Sequence, residues 1–372
     1  MIWAVGTKKN SSLRELELPT AICECLEAIG HRAFVVSDGD PQGLGANVLL
    51  LMFTTGDFSA YRRLLNQRRS QKPMTVLWQI DPLPPDHLSS DAEWFAQKAF
   101  HWREILKAHW EPLSRAEKLR TLYRLRMWSY HKLSARSYRQ IVKQMEKTNG
   151  NDVSCRDIRG AMENWHGILI GRKEGWLDVI VASTNQRRAF LNRRGITAYF
   201  VPVGAHDYMG GPMEMPRDIP IGFLGSIKNH AKNRRTRVLE KLQKRLKEKN
   251  LPLVEIQSNC YAEQRCRWLN RVRILINIYN FPWDAAWVRF LMAAKCKTLV
   301  VSEPTQDEHP LTAGTHYISA PWEQMPDVIE ELLARPQKIE PITAAAENIC
   351  RTELTLLNSV KKLHQIIECG GK

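Results

Sequence analysis

Short apolar segments alternate with longer amphipathic segments along the first half of the chain. Continuous apolar runs predict strands, and apolar positions spaced three or four apart predict helices. The predicted strands occupy residues 2–5, 33–36, 47–53, 74–79, 178–182 and 198–201, and the predicted helices occupy 13–29, 58–69 and 185–194. Buried strands separated by helices are typical of a parallel sheet covered on both faces, in which ligands bind at the carboxyl ends of the strands.

The alternation resumes in the second half, after a segment rich in glycine and proline at residues 204–220. Strands are predicted at 221–224, 253–256, 274–278 and 298–301, helices at 234–249 and 287–294, and a helical tail at 342–367. Glycine and proline interrupt regular elements, so the segment at 204–220 indicates a linker. We therefore predict an α/β protein with two Rossmann-like doubly wound domains facing a cleft, at residues 1–205 and 220–340, joined by a linker at 206–219.

Length and composition agree with this organisation. A chain of 372 residues is longer than one compact core usually requires. The sequence turns polar directly after Gly6, which predicts no signal peptide and a cytoplasmic protein, with peripheral attachment to the inner membrane as a further option. The eight cysteines do not have the spacing of a metal site, so we predict reduced thiols and no bound metal.

The formal charge of +15 is concentrated in two segments. Residues 101–147 contain twelve Lys or Arg against four Glu, and residues 228–249 contain ten against two. The first segment also contains aromatic residues at roughly helical spacing, so we predict a basic helical insertion in the first domain at residues 91–165. Such a patch suits an anionic surface, either the inner membrane face or nucleic acid, although a solvated helical face remains the alternative.

A candidate phosphate-binding loop opens the second domain. The strand and glycine loop at residues 221–226 are followed by two arginines at the start of a helix. Glycine lets the backbone approach a phosphate, a helix start offers unpaired N–H groups, and arginine binds phosphate through two hydrogen bonds. The candidate donor contacts are Gly222, Gly225, Ser226, Arg234 and Arg235. A glycine pair after a strand also occurs for packing reasons alone.

The segments that follow resemble one group of glycosyltransferases. Residues 269–277, Arg289, 300–303 and 314–318 are similar in order and spacing to bacterial GT-B enzymes related to spore-coat maturation proteins. The resemblance covers roughly residues 202–333. It implies a hexosyltransferase-type glycosyltransferase that uses a nucleotide-sugar donor, such as a UDP- or GDP-sugar, and requires no cofactor. It also implies that the C-terminal helices at 341–372 pack back on the first domain.

The same resemblance implies further site residues and exposes two departures. It adds Asn277, Ser302 and Glu303 to the donor contacts and makes Asp284 a catalytic carboxylate at the donor sugar. The group has a second carboxylate eight positions later, which would hold the ribose, but this chain has Met292. Glu303 is the nearest replacement in sequence. The usual glycine after the helix is Lys297.

Three further residues are candidates for the cleft. If the reaction inverts the anomeric centre, Asp81 at a strand end is the best-placed base, although an aspartate before proline is also a common turn residue. Gly204 and His206 are expected at the hinge or cleft between the domains.

Three functions therefore stay open. The first is a glycosyltransferase whose acceptor is a cell-surface polysaccharide or a lipid-linked saccharide. The second is a glycosyltransferase acting on modified nucleic acid, which the charge of +15 would suit equally. The third is a non-catalytic binding protein on a degenerate glycosyltransferase fold, suggested by Met292 and Lys297.

Overall fold

The computed structural model describes most of the predicted α/β elements, but of the predicted basic insertion at 91–165 it describes only residues 155–165. The described residues are 1–9, 11–52, 58–68, 72–85, 155–225, 234–258, 260–283, 287–307 and 309–370. The predicted basic segment 101–147, Ser226 and Asp284 lie outside these residues. No described helix is both long enough and apolar enough to cross a membrane.

The first sheet has six parallel strands in the order β2-β1-β3-β4-β5-β6. The strands are β1 Ile2–Thr7, β2 Arg32–Ser37, β3 Val48–Met52, β4 Met74–Gln79, β5 Val179–Ala182 and β6 Tyr199–Phe200. The helices are α1 Leu13–Ala28, α2 Pro41–Leu44, α3 Ser59–Gln67, α4 Cys155–Glu174 and α5 Asn185–Arg193. All five residues of β3 are buried, which explains why this strand is apolar without alternation.

The second sheet has five parallel strands in the order β11-β10-β9-β7-β8. The strands are β7 Ile219–Leu224, β8 Glu255–Gln257, β9 Val272–Asn277, β10 Leu299–Ser302 and β11 Ile318–Ser319. The helices are α6 Arg234–Glu248, α7 Ala262–Arg271, α8 Val288–Lys295, α9 Met325–Ala334, α10 Ile339–Thr352 and α11 Leu356–Glu368. The prediction of an α/β protein with two parallel sheets is confirmed. Since β7 lies between β8 and β9, the chain reverses direction across the sheet there, which opens a crevice at the carboxyl ends.

The C-terminal tail is two helices and not the single helix that its apolar spacing predicts. Between α10 and α11, Thr355 is extended and its side chain caps α11 by accepting a hydrogen bond from the amide of Asn358. The extended residues pair with the linker, because Ala205 N donates to Leu354 O and Leu356 N donates to Ala205 O, both at 2.7 Å. The helix therefore breaks where the chain needs free backbone groups to pair with the linker.

Gly204 lies beside this pairing of the two chain segments. A Cβ atom at this position would lie 2.2 Å from both the carbonyl carbon and the carbonyl oxygen of Thr355. Only a residue without a side chain allows the two backbones to approach so closely.

The last helix, α11, packs against α1 of the first domain. At this contact the His31 and His364 rings stack with centroids 4.3 Å apart, and the Trp3 ring lies 6.3 Å from each of them. His206 contacts the same helix α1, with its Nε2 atom 3.4 Å from Glu24 Oε2. The linker and the final helix thus both contact one helix of the first domain.

Candidate functional site

Three strands of the second sheet end together and place polar residues side by side. The central pair is Asn277, the last residue of β9, and Ser302, the last residue of β10, which lie opposite each other in the sheet. Asn277 Nδ2 donates to Ser302 Oγ at 2.9 Å, and Glu303 N donates to Asn277 O at 3.1 Å. Parallel strands bring their carboxyl ends to one edge, so residues distant in sequence meet at this position.

Arg234 and Glu303 form a buried bidentate ion pair at this edge. Arg234 Nη1 lies 2.8 Å from Glu303 Oε2, and Arg234 Nη2 lies 2.5 Å from Glu303 Oε1. Their side chains are only 10% and 8% exposed. Tyr279 completes the arrangement, because its N–H donates to Glu303 Oε2 at 2.9 Å and its carbonyl accepts from Arg234 at 2.7 Å. Arg234 and Glu303, which are each predicted to contact the donor, therefore bind each other.

Two other guanidinium groups lie over the ring of Phe223, near the end of β7. The Cζ atoms of Arg235 and Arg289 are 5.8 Å and 5.6 Å from the ring centroid, which is the range of cation–π contacts. Arg235 Nε also donates to Ile278 O at 3.0 Å, and Arg289 bonds to the side-chain oxygen of Asn277. Both arginines are half-buried. The site therefore contains two positive charges held at one strand edge.

Sequence reasoning missed the contribution of Arg289 and Phe223. In the sequence Arg289 belongs to the segments that carry the family resemblance without an assigned contact, and Phe223 is an apolar residue of a predicted strand. Arg235 and Arg289 both stand in the first turn of a helix that follows a strand, which is the weak signal that the sequence offers.

Local packing and backbone conformation explain why glycine occurs at the two positions of the predicted loop. Gly222 lies inside β7, where a Cβ atom would come within 2.7 Å of the Trp268 ring and 2.9 Å of Val272. Gly225 follows the strand with φ of +156°, and its N–H donates to Gln257 O at 2.9 Å. Packing of α7 on the sheet thus accounts for Gly222 without a ligand, and its donor contact stays a prediction.

Asp81 lies in the loop that follows β4 of the first sheet. Gln79 Nε2 donates to Asp81 O at 2.8 Å, and Asn164 Nδ2 donates to Pro82 O at 2.8 Å, so the loop is fixed from two sides. Across from it, Trp283 Nε1 donates to Leu83 O at 2.8 Å. Trp283 precedes Asp284 in sequence, so the chain carrying one predicted catalytic carboxylate contacts the loop carrying the other.

His316 lies away from these contacts. Its Nδ1 atom accepts a hydrogen bond from Thr312 N at 3.0 Å, which holds the ring within its own loop. Burial lowers the pKa of His316, so the neutral ring is favoured. This arrangement fits a structural role.

Comparisons with known proteins identify the fold. No family model matches the chain, and no curated protein is similar to it in sequence. Solved structures are similar: HepE from Anabaena in complex with UDP-glucose has a TM-score of 0.54 at 9% identity, covering 99% of this chain and 100% of HepE. The alpha-glucosyltransferase AGT in complex with UDP has a TM-score of 0.53 at 11% identity, covering 99% of each chain. The structure of TarM has a TM-score of 0.51 at 10% identity, covering 86% of this chain and 54% of TarM.

The chain has the GT-B fold. Within this fold, one departure from the related motif has a conformational explanation. Lys297 follows α8 with φ of +51°, the left-handed conformation in which a helix commonly ends on glycine. Lys297 therefore adopts the left-handed backbone conformation that glycine usually provides at a helix end, and it lies outside the polar network. Met292 lies on α8 and packs partly against the apolar core, and no described contact replaces the missing carboxylate there.

The basic run at residues 228–249 is partly neutralised at its last residue, Lys249. Lys249 Nζ lies 2.7 Å from Asp327 and 2.6 Å from Glu330, two acidic residues of α9. Lys241 and Arg245 lie over the Trp322 ring at 5.6 Å and 5.1 Å. The sequence count of ten basic residues therefore overstates the positive potential of this face.

Proposed function

We propose that this chain transfers a sugar, of the hexose class, from a nucleoside-diphosphate donor such as a UDP- or GDP-sugar to an acceptor hydroxyl. The observation that supports it best is the pair of guanidinium groups, Arg235 and Arg289, held over Phe223 where β7 and β9 end. A crevice at the carboxyl ends of such strands is where open parallel sheets bind ligands. HepE and AGT, which share the fold, were solved with UDP-glucose and with UDP.

The chemistry of glycosyl transfer explains why two arginines suit this position. When the bond to the sugar breaks, the diphosphate gains negative charge, and fixed cations at that place lower the barrier. Arg235 and Arg289 are oriented by bonds to Ile278 O and to Asn277 before any ligand arrives. The Arg234–Glu303 pair fixes the start of α6, so its role in this proposal is to position Arg235.

On the acceptor side, Asp81 is the proposed base and Asp284 the proposed carboxylate at the donor sugar. The bond from Trp283 to Leu83 supports this assignment, because it joins the two loops that contain them. A base must come within hydrogen-bond reach of the proton that it removes, either directly or through one water. An Asp81→Asn variant should therefore lose product formation while it still binds the donor.

Donor binding can be tested without knowledge of the acceptor. Thermal unfolding is measured with rising concentrations of UDP, GDP, dTDP and their sugars; a ligand that reaches about 100 times its dissociation constant stabilises the fold by about 2.7 kcal/mol. At about 2–4 °C per kcal/mol, the matching nucleotide should raise Tm by roughly 5–10 °C.

Arg235→Ala and Arg289→Ala should abolish this rise in Tm. Arg271→Ala is the matched control, because Arg271 belongs to the same domain but pairs with exposed Asp218. If no nucleotide shifts the wild-type Tm, the proposed donor site is wrong and the non-catalytic alternative is favoured.

The proposed acceptor is a surface polysaccharide or a lipid-linked saccharide at the inner membrane face. The charge of +15 also supports a second candidate, a nucleic-acid acceptor, and AGT was solved with UDP and a 13-mer DNA. Acidic residues of α9 pair with Lys249 at the end of the second basic segment, and the other basic excess, at 101–147, lies outside the described residues.

The two acceptor classes are separated by binding and then by turnover. If the acceptor is nucleic acid, the affinity for duplex DNA should fall steeply as the salt concentration rises. If the acceptor is a saccharide at the membrane, the protein should bind vesicles that contain anionic lipid. Sugar transfer to one acceptor class and not to the other decides between them.

A further inference from the structure

One loop of the donor domain reaches across to the first domain. The loop follows Glu303 directly, so it begins at the buried ion pair of the candidate site, and its described residues include Asp307 and His309. Inside the loop, His309 N donates to Asp307 Oδ1 at 3.2 Å, and Asp307 N donates to Thr305 Oγ1 at 3.4 Å. These bonds fix the Asp307 carboxylate and leave its Oδ2 atom for another partner.

That partner is the first turn of α5 in the first domain. Asn185 N and Gln186 N donate to Asp307 Oδ2 at 2.8 Å and 3.3 Å. The next two amides of the helix donate to the side-chain and carbonyl oxygens of Thr184, at 3.2 Å and 3.1 Å. The first four N–H groups of a helix have no partner within the helix itself. In α5 the amides of Asn185, Gln186 and Arg187 all have partners, and the other domain supplies the acceptor for two of them, whereas the Arg188 bond to Thr184 O is the first regular bond of the helix.

We propose that Asp307 is an interdomain latch that stabilises the arrangement of the two domains through the start of α5. A carboxylate at a helix start gains both hydrogen bonds and a favourable interaction with the helix dipole. Gln186 Nε2 adds a bond to Gln306 Oε1 at 3.1 Å across the same contact. When the domains separate, water replaces all of these partners, so the net effect on the latched population is modest.

The position of the latch connects it with the candidate site. Glu303 holds Arg234 and the Tyr279 amide, and four residues later Asp307 holds the other domain. A second contact between the domains, Trp283 to Leu83, comes from the loop after the neighbouring strand β9. Both loops, after β9 and after β10, therefore contact the first domain through side chains, and Asp307 is the charged residue among them.

The test measures domain separation and needs no substrate, so its failure is distinguishable from failure of the proposed function. Fluorescent dyes are attached through unnatural amino acids at Lys173 in the first domain and Glu240 in the second, both of which are exposed. Single-molecule energy transfer then gives the ratio of latched to unlatched molecules. The variants are Asp307→Ala, Asp307→Asn and, as a matched control, Asp218→Ala, which breaks an ion pair within the donor domain.

Asp307→Ala should lower the latched-to-unlatched ratio about fivefold, as expected for loss of a helix cap. Asp307→Asn keeps an acceptor oxygen and should change the ratio less than about twofold. Hydrogen exchange at the amides of Asn185 and Gln186 should accelerate in Asp307→Ala and stay unchanged in Asp218→Ala. The proposal is overturned if Asp307→Ala gives the wild-type distribution and exchange, or if Asp218→Ala shifts the ratio as far.

Discussion

Replacement of Glu303 by alanine tests the buried core of the candidate site. The change removes both oxygens that bind Arg234 and the acceptor for the Tyr279 amide. Arg234 keeps a bond to a carbonyl oxygen but loses its only described carboxylate partner, in a place where its side chain is 10% exposed. Since water cannot easily replace the lost partner, the variant leaves a buried charge without compensation.

The expected magnitude follows from this burial. Loss of one partner of a buried ion pair costs about 3–5 kcal/mol, because the remaining charge stays desolvated. At about 2–4 °C per kcal/mol for a domain of this size, the Tm should fall by roughly 6–20 °C. Glu303→Gln retains one acceptor oxygen and should cost less, about 1–3 kcal/mol. The double variant Arg234→Met with Glu303→Leu should recover much of the loss, because it removes both charges together.

The assay is thermal and urea unfolding of the full chain without ligand. Its matched control is Asp218→Ala, since Asp218 binds Arg271 through two bonds of 2.8 Å and 2.6 Å, but the pair is 49% and 43% exposed. Water replaces such a partner readily, so the control should leave Tm close to wild type. The reasoning is refuted if Glu303→Ala and Asp218→Ala shift Tm equally, or if the double variant is less stable than Glu303→Ala.

Three further changes test the backbone and the pH dependence. Gly204→Ala places a Cβ atom 2.2 Å from the Thr355 carbonyl and should cost about 3 kcal/mol or more in urea unfolding, whereas Gly211→Ala meets no atom within 4 Å and should cost about 0.5 kcal/mol or less. Lys297→Gly should raise stability by about 0.5–1 kcal/mol because φ is +51°, and Lys297→Ala, which keeps the strain, should not. Burial and nearby positive charge lower the pKa of His31. Its contribution to the free energy of unfolding is therefore complete above about pH 6.5 and is lost as the pH falls. His31→Phe should therefore flatten the fall in Tm between about pH 7 and pH 5, and an unchanged slope would contradict this.

Much of the architecture follows from the sequence because buried parallel strands are nearly uniform in composition. The strand predicted at 47–53 is observed as Val48–Met52, and all of its residues are buried. The strands at 274–278 and 298–301 are likewise close to Val272–Asn277 and Leu299–Ser302. A short continuous apolar run between two helices is typical of a strand buried on both faces, so its composition is enough to predict the strand.

The sequence does not predict that Arg234 and Arg235 have different partners. The two arginines are identical and adjacent, and both were predicted to bind the donor. A helix turns by about 100° per residue, so adjacent side chains leave it in different directions. Arg234 lies against Glu303, which is 69 positions away in the chain, and Arg235 lies over Phe223. Only the sheet order brings Glu303 to that side of α6.

Backbone conformation explains the other departures from expectation. Lys297 in place of a glycine suggested a degenerate site, but its left-handed φ shows that the helix ends in the usual shape. The tail appeared to be one helix because the apolar spacing continues through Leu354 and Leu356. These residues are apolar for a different reason, namely burial beside the linker. Spacing cannot distinguish a helix face from an extended segment that is buried.

The loops after β9 and β10 connect the candidate site to the first domain. Each loop has one end in the polar network, at Asn277 or at Glu303, and each contacts the first domain, through Trp283 or Asp307. We therefore expect a ligand that rearranges the bonds of the network to affect at least one of these contacts. A ligand shifts a conformational equilibrium only by its differential affinity for the two states. Binding of a nucleotide should consequently alter the latched ratio in the wild type by more than it does in Asp307→Ala, because the alanine variant keeps the Trp283 contact but has lost the Asp307 contact.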